Sequence, residues 1–320
     1  MKEITYDKNK KHINTMCYDS CNSAAQQTVS VVIPTLNAEN NISDLLTALF
    51  KQKHKPDEIL VIDSSSKDAT QRIVKSFEDV RLIIIPQIEF NHGLTRDYAL
   101  HLTHGDYVFF LTQDAKPANN RYIDLMLQPF SNPKIAMVSG RQIARADATL
   151  AERLIREFNY PSVSHVRSSA DIKKMGIKTF FASDVCSAYR RSAYLSVGGF
   201  KKVSTNEDMF MAAELINNNF YIAYQAEALV IHSHNFTFKQ QYQRNKKSAY
   251  EIEMHQNLLG NISLNSEGFS LVKHVTKRLV SMHAYMSVIT FVLDCSARFI
   301  GNKIGTLSAK YEKAHHLNVH

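Results

Sequence analysis

The first half of the chain alternates short apolar runs with segments in which apolar residues recur at helical spacing. The apolar runs are rich in β-branched and aromatic residues and lack clean two-residue alternation, which is typical of strands covered on both faces of a sheet. This order predicts a mostly parallel α/β sheet with right-handed crossovers. The predicted strands are Val29–Pro34, Glu58–Asp63, Arg81–Pro86 and Tyr107–Thr112, and the predicted helices are Asn41–Gln52, Lys67–Phe77 and Leu94–Thr103.

The alternation of strand-like and helical segments becomes less regular beyond Pro133. The sequence changes again near Thr237, where it becomes basic and amphipathic. The intervening stretch predicts strands at Ile135–Gly140 and Tyr221–His232 and helices at Ala148–Phe158 and Asn206–Asn218. No linker rich in glycine and proline divides the chain. We therefore predict a polar leader (1–28) that is disordered, one α/β domain (29–236) and a basic amphipathic helical extension (237–320).

Composition and charge narrow the class of protein. Hydrophobic residues make up 44% of the chain, enough for a sizeable core, and four cysteines are too few for a disulfide framework. The net charge of +8 is concentrated in residues 237–320, which hold 11 lysines and arginines against five acids. A nucleic-acid binder would need such a cluster on its working domain. The distribution instead favours an anionic membrane surface or an acidic partner.

No apolar stretch of the chain has the length of a membrane span. The uncharged and largely apolar run Leu279–Leu293 has 15 residues, short of the roughly 18 to 20 that a bilayer requires. The polar leader lacks the apolar stretch of a secretory signal. We expect a cytoplasmic protein, peripheral at the inner membrane.

Polar residues follow three of the predicted strands, at Pro34–Asn37, Asp63–Ser66 and Thr112–Asp114. Ligands of parallel sheets bind outside the carboxyl ends of the strands. The glycine-rich phosphate loops of dinucleotide dehydrogenases and P-loop NTPases are absent, which argues against both classes. Carboxylates at strand ends could instead hold a nucleotide diphosphate through a divalent cation.

The segments Val31–Glu39, Ile62–Asp68, Phe90–Arg96 and Leu111–Ala115 together resemble family 2 glycosyltransferases of the GT-A fold. Phe90–Arg96 followed by Leu111–Ala115 is similar to the corresponding segments of bacterial rhamnosyltransferases that use dTDP-L-rhamnose. The late segments Asn206–Asp208 and Val230–His234 match in the same order, so the resemblance covers residues 28–236.

The resemblance implies inverting, metal-dependent transfer of L-rhamnose from dTDP-β-L-rhamnose to a saccharide acceptor. That acceptor would be lipid-linked, in O-antigen or other cell-surface polysaccharide synthesis. Two alternatives stay open, namely the same fold with another sugar nucleotide such as a UDP-hexose, and a membrane-associated nucleotide-sugar binder without turnover. The chain is also compatible with an oligomer.

The resemblance assigns a nucleotide-sugar pocket to the strand ends. Asp63 would accept a hydrogen bond from the thymine N–H, or it could cap the next helix or close a local turn with the serines that follow it. Asn37 and Glu39 could instead cap the next helix, and Arg96 would meet the diphosphate or pair with Asp97 or another acid. The predicted set is Pro34, Thr35, Asn37, Glu39, Asp63, His92, Gly93, Arg96, Gln113 and Asp114.

A divalent cation, Mg²⁺ or Mn²⁺, is implied by the same resemblance. Asp114 takes the place of the last carboxylate in the family's D-x-D-type motif, which is Thr112-Gln113-Asp114 here. It could alternatively be a turn residue before Pro117. His232 is the second predicted ligand, since neutral imidazole suits manganese better than magnesium. The predicted ligand set leaves out His234.

The pair Glu207-Asp208 opens a predicted helix. The resemblance makes Asp208 the general base for the acceptor hydroxyl, with Glu207 orienting the substrate. The helix dipole is expected to lower the pKa of Asp208 and keep it ionised. The alternative is a capping box with Thr205. Looser candidates for acceptor contacts are Asp184, Arg190 and Arg191, ahead of Gly198-Gly199-Phe200.

Overall fold

A computed structural model of the chain describes residues 27–260 and 267–316. Nearly all of the predicted leader therefore lies outside the described residues. Within them, nine strands form one sheet. They are β1 (Val29–Thr35), β2 (Glu58–Asp63), β3 (Val80–Ile84), β4 (Tyr107–Leu111), β5 (Lys116–Pro117), β6 (Ile135–Ile143), β7 (His165–Arg167), β8 (Cys186–Arg190) and β9 (Tyr221–Ile231).

The sheet is mostly parallel, as predicted. Its order is β3-β2-β1-β4-β8-β6-β9-β5, and β7 pairs with β9 off this path. Strands β1 to β4, β6 and β9 run in one direction, because β8 lies antiparallel between β4 and β6. The carboxyl ends of those six strands therefore meet at one edge of the sheet.

The predicted strands are present with shifted ends. Arg81–Pro86 becomes Val80–Ile84, and Ile135–Gly140 continues to Ile143. The strands β5, β7 and β8 were not predicted. They are five residues long or shorter and contain polar residues such as Ser187 and Arg190, so neither an apolar run nor an alternation marks them.

Helices cover both faces of the sheet. The helices before the extension are α1 (Ile42–Phe50), α2 (Thr70–Lys75), α3 (His92–His101), α4 (Tyr122–Leu127), α5 (Leu150–Asn159), α6 (Ile172–Met175), α7 (Arg191–Ser196) and α8 (Glu207–Asn217). Val29, Val31 and Ile33 of β1 are buried on the face of the sheet that packs against α1, α2 and α4. Val32 is buried on the other face, against α3, α7 and α8. This two-sided burial explains the near-continuous apolar strands.

The C-terminal part is helical, as predicted. It comprises α9 (Phe238–Met254), α10 (Gln256–Leu259), α11 (Glu267–Ser281) and α12 (Tyr285–His316). Leu279 of α11 and Phe291 of α12 are buried in a small core with Leu154 and Ile155 of α5. Across residues 27–260 and 267–316, each helix is too short or too polar to cross a membrane.

Candidate active site

Parallel pairing aligns the first two polar strand ends. Thr35 of β1 lies opposite Asp63 of β2, and Thr35 Oγ1 donates to Asp63 Oδ2 at 3.0 Å. Asp63 is fully buried, and its Oδ1 accepts from the Ser66 N–H and from Gln71 Nε2, both at 2.8 Å.

The turn that the sequence offered as an alternative for Asp63 is therefore formed. With the Ser66 hydroxyl included, the carboxylate accepts four hydrogen bonds, which is about its full capacity. A nucleobase N–H would have to replace one of these donors.

Asn37 and Glu39 do not cap the helix after them. The N-cap of α1 is Asn41, and it makes no side-chain cap hydrogen bond. Asn37 Oδ1 instead accepts from the Lys67 N–H and Glu39 Oε2 from the Ala69 N–H, both at 3.0 Å. The two side chains thus join the loop after β1 to the loop after β2. Pro34, next to Thr35 at the end of β1, is half-buried.

Gln113 ties the end of β4 to the end of β1. Its Oε1 accepts from the Leu36 N–H at 2.8 Å, and its Nε2 donates to the Leu36 carbonyl at 3.1 Å. These two hydrogen bonds fix the loop in which Asp114 lies. A cavity of about 520 Å³ opens beside Gln113 and Asp114, with Asp44, Lys116 and Asp147 among its lining residues.

Asp114, His232 and His234 form a cluster that could hold a metal ion. The His232 Nε2 is 3.5 Å from Asp114 Oδ1, and the His234 Nε2 is 3.5 Å from Asp114 Oδ2. One donor atom from each residue lies within 4.8 Å of the others. Because β9 ends at Ile231, both histidines lie just past its carboxyl end. His234, which the prediction left out, thus joins the predicted pair.

Gln142, held by Arg156, orients the His232 ring. Gln142 Oε1 accepts from Arg156, which makes this oxygen an acceptor for His232 Nδ1 at 3.0 Å. The Nδ1 therefore carries the proton, and Nε2 presents its lone pair toward Asp114. Burial lowers the pKa of His232 against the opposing effect of Asp114, so the ring is neutral, as a metal ligand must be.

The acceptor-side candidates lie at the start of α8. Arg96 Nη1 is 3.1 Å from Glu207 Oε1, and both side chains are buried. Arg96 therefore pairs with Glu207 and not with Asp97, and its Nη1 also donates to the His92 carbonyl. A Cβ at Gly93 would come within 3.3 Å of the Glu207 Cβ, so glycine allows the close approach of α3 to α8.

Asp208 is half-buried beside Asp184. Its Oδ2 accepts from the Asp184 N–H at 3.2 Å and its Oδ1 from the Met209 N–H at 2.8 Å. The capping box with Thr205 is not formed, because the N-cap is Asn206 in a left-handed conformation, without a side-chain cap hydrogen bond.

The prediction that the helix dipole lowers the pKa of Asp208 is wrong. Burial, followed by the charges of Glu207 and Asp184, raises the pKa of Asp208 well above its usual range. Burial also raises the pKa of Asp184, to about 6. The helix dipole contributes only fractions of a kcal/mol at most exposed sites. Desolvation and two like charges outweigh it here.

The segment Ser183–Val185 connects these groups. Ser183 Oγ accepts from Gln142 Nε2 at 2.9 Å, the Asp184 N–H donates to Asp208, and the Val185 carbonyl accepts from the Thr112 N–H at 3.2 Å. The base candidate and the metal candidates are thus joined at one edge of the sheet.

Arg190 and Arg191 are not at this edge. Arg190 pairs with Tyr107 at the opposite end of β4, and Arg191 donates to the carbonyls of Gly105 and Leu100. Their hydrogen bonds place both side chains in the packing of that end of the sheet.

Known proteins are similar to this chain in sequence and in fold. Residues 30–198 match the profile described as "Glycosyl transferase family 2", and residues 117–303 match "Glycosyl transferase family group 2". The O-antigen chain rhamnosyltransferase RfbN of Salmonella typhimurium is 38% identical over 283 residues, covering 87% of this chain and 89% of that protein. The O-antigen chain rhamnosyltransferase WbaN of Salmonella anatum is 37% identical over 280 residues, covering 86% and 88%.

Among solved structures, a mannosyltransferase from Pyrobaculum calidifontis, in complex with GDP-Man and Mn²⁺, superposes with a TM-score of 0.59. The match covers 89% of this chain and 87% of the mannosyltransferase at 13% sequence identity. At that identity the likeness concerns the fold, which is the GT-A glycosyltransferase fold.

Proposed function

Because the chain belongs to glycosyl transferase family 2 and is a glycosyltransferase, we propose that it transfers L-rhamnose from dTDP-β-L-rhamnose to a saccharide acceptor. The observation that carries the choice of sugar is the 38% identity to an O-antigen rhamnosyltransferase across 87% of the chain. The acceptor is a lipid-linked saccharide in O-antigen or related polysaccharide assembly, at the cytoplasmic face of the inner membrane.

The residues that would hold the divalent cation are Asp114, His232 and His234. One carboxylate and two imidazoles form a donor set that suits Mn²⁺ better than Mg²⁺. The lone pair of His232 Nε2 already faces Asp114, which supports this assignment. When bound, the cation would offset the negative charge that develops on the departing diphosphate.

Asp208 is the proposed general base. Its carboxylate takes the proton of the acceptor hydroxyl, whose oxygen attacks the anomeric carbon from the face opposite the diphosphate. The bond from that carbon to the diphosphate oxygen breaks, and its electrons leave with dTDP. A single displacement of this kind converts the β-linked donor into an α-linked product. Glu207, held by Arg96, fixes the start of α8 and hence the position of Asp208.

The thymine base is proposed to bind at Asp63. The four donors that now surround this carboxylate show that it accepts hydrogen bonds at a buried strand end. Gln71, on α2, is the donor that a base N–H could replace without disturbing the β1–β2 pairing.

A donor panel tests the proposal. The purified chain is incubated with Mn²⁺ and, in separate reactions, dTDP-rhamnose, UDP-glucose, UDP-N-acetylglucosamine and GDP-mannose, and release of nucleoside diphosphate is measured. The proposal predicts release from dTDP-rhamnose well above the other donors. Preferential turnover of a UDP-sugar would support the alternative donor, and absence of turnover with tight binding would support a non-catalytic binder.

A further inference from the structure

Helix α12 is attached to the rest of the protein along one face. Gly301 and Gly305 lie against the backbone of α9, where an added Cβ would meet the carbonyls of Tyr242 and Lys246. Ala309, a helical turn further on, is fully buried. These small residues at intervals of four let the two helices approach closely, so the rotation of α12 about its axis is fixed.

The opposite face of α12 is apolar and exposed. At 3.6 residues per turn seven of its large side chains fall within an arc of about 60°, along a stripe about 37 Å long. Tyr285, Val292 and Phe299 are exposed beside this stripe. Soluble monomers rarely expose a contiguous apolar patch of this extent. The stripe consists of Met286 (73% exposed), Ile289 (54%), Leu293 (50%), Ile300 (51%), Ile304 (37%), Leu307 (64%) and Tyr311 (67%).

The charges on α12 favour an anionic surface over a second copy of the chain. Lys303 and Lys310, both exposed and seven residues apart, border the stripe on one side. The two acids of α12 are turned away from it, since Asp294 pairs with Arg298 and Glu312 accepts from Tyr250. A second copy would bring lysines together without exposed acids of α12 to meet them.

We propose that the stripe of α12 is the surface through which this protein lies on an anionic membrane. The apolar side chains would enter the boundary of headgroups and acyl chains, and the bordering lysines would meet lipid phosphates. This inference extends the proposed function, because the surface would bring the catalytic edge to a lipid-linked acceptor. It does not depend on which sugar nucleotide is the donor.

Vesicle sedimentation of the full chain tests the proposal without any transfer reaction. The vesicles contain phosphatidylcholine alone or an equal mixture with phosphatidylglycerol. The test variant is Leu293→Glu/Ile300→Glu, which changes exposed residues of the stripe. The matched control is Ile88→Glu/Val163→Glu, which changes exposed apolar residues of the catalytic domain. Circular dichroism melting compares the folding of all the proteins.

We expect the wild type and the control to bind the anionic vesicles, with binding weakened by high salt. The stripe variant should bind about tenfold less or weaker still, and Lys303→Glu/Lys310→Glu should lose binding to anionic vesicles. Equal binding by the wild type and a folded stripe variant would overturn the proposal. Wild-type protein that stays in the supernatant with anionic vesicles would also overturn it. If the wild type is a dimer that the stripe variant converts to a monomer, the occupant of the stripe is a second copy of the chain and not a membrane.

Discussion

The backbone N–H of Asp184 donates to the carboxylate of Asp208 at 3.2 Å. Asp184 is itself buried, and its Oδ1 accepts from Ser187 and Tyr189 while its Oδ2 has no partner among the described residues. Two acids thus lie side by side, and Arg96, whose charge acts on Asp184, is paired with Glu207. This arrangement sets the proton affinity of the proposed base.

Asp208→Asn removes the proposed base while preserving the shape of the side chain. Turnover should fall by about 10² to 10⁴, the usual contribution of a general base, and donor affinity should stay near that of the wild type. Steady-state kinetics and calorimetric donor binding measure the two effects. Loss of thermal stability and of donor binding to the same extent as turnover would instead assign Asp208 a structural role at the start of α8.

The pH dependence of turnover should report the coupling of Asp184 to Asp208. Burial and neighbouring negative charge raise the pKa of Asp208, and a base acts only when deprotonated. Turnover should therefore rise as the pH rises through that pKa. Asp184→Asn removes one negative charge, lowers the pKa of Asp208 and should move the rising limb to lower pH. A uniform loss at every pH, without a shift, would mean that Asp184 only supports the fold.

Arg96 and Glu207 should behave as a buried ion pair. Arg96→Met leaves the Glu207 charge without its partner and should lower the free energy of unfolding by about 3 to 5 kcal/mol. Arg96→Met/Glu207→Met should recover most of that loss in urea unfolding. If Arg96 instead served the diphosphate alone, the single variant would keep its stability and lose donor affinity.

His234 should contribute to the affinity for the cation. His234→Ala should raise the Mn²⁺ concentration needed for half-maximal turnover by about tenfold or more, in line with the effect of losing a supporting group at a metal site. Asp114→Asn should abolish transfer. His101→Ala, which changes an exposed histidine of α3, is the matched control. An unchanged Mn²⁺ requirement in His234→Ala would remove this residue from the ligand set.

Much of the fold could be predicted because both faces of the sheet are buried. The strands β1, β2 and β4 are almost continuously apolar, and their ends were found within one residue. The strand β8 was missed because five residues with polar positions carry no periodic signal. The uncharged run Leu279–Leu293 is divided between α11 and α12 by a turn at His283, with φ of 54°, a break that no glycine or proline marks in the sequence.

The site could be predicted only in part. The strand-end positions of Asp63 and Asp114 follow from the alternating pattern, because ligands of parallel sheets meet at carboxyl ends. His234 had a usable signal, since residues two apart in extended backbone point the same way. The pairing of Arg96 with Glu207 joins residues 111 apart, and the proximity of Asp184 to Asp208 depends on the unpredicted β8. No local sequence pattern indicates either contact.

The configuration of the first sugar released from the donor is a direct test of the proposed mechanism. In that mechanism Asp208 activates a hydroxyl for a single displacement at the anomeric carbon of dTDP-β-L-rhamnose. Water can replace the acceptor, so hydrolysis of the donor with Mn²⁺ can be followed by proton NMR before the released sugar equilibrates. We expect α-L-rhamnose to appear first and Asp208→Asn to suppress its release. Initial release of β-L-rhamnose, or release at the wild-type rate by Asp208→Asn, would rule out this mechanism.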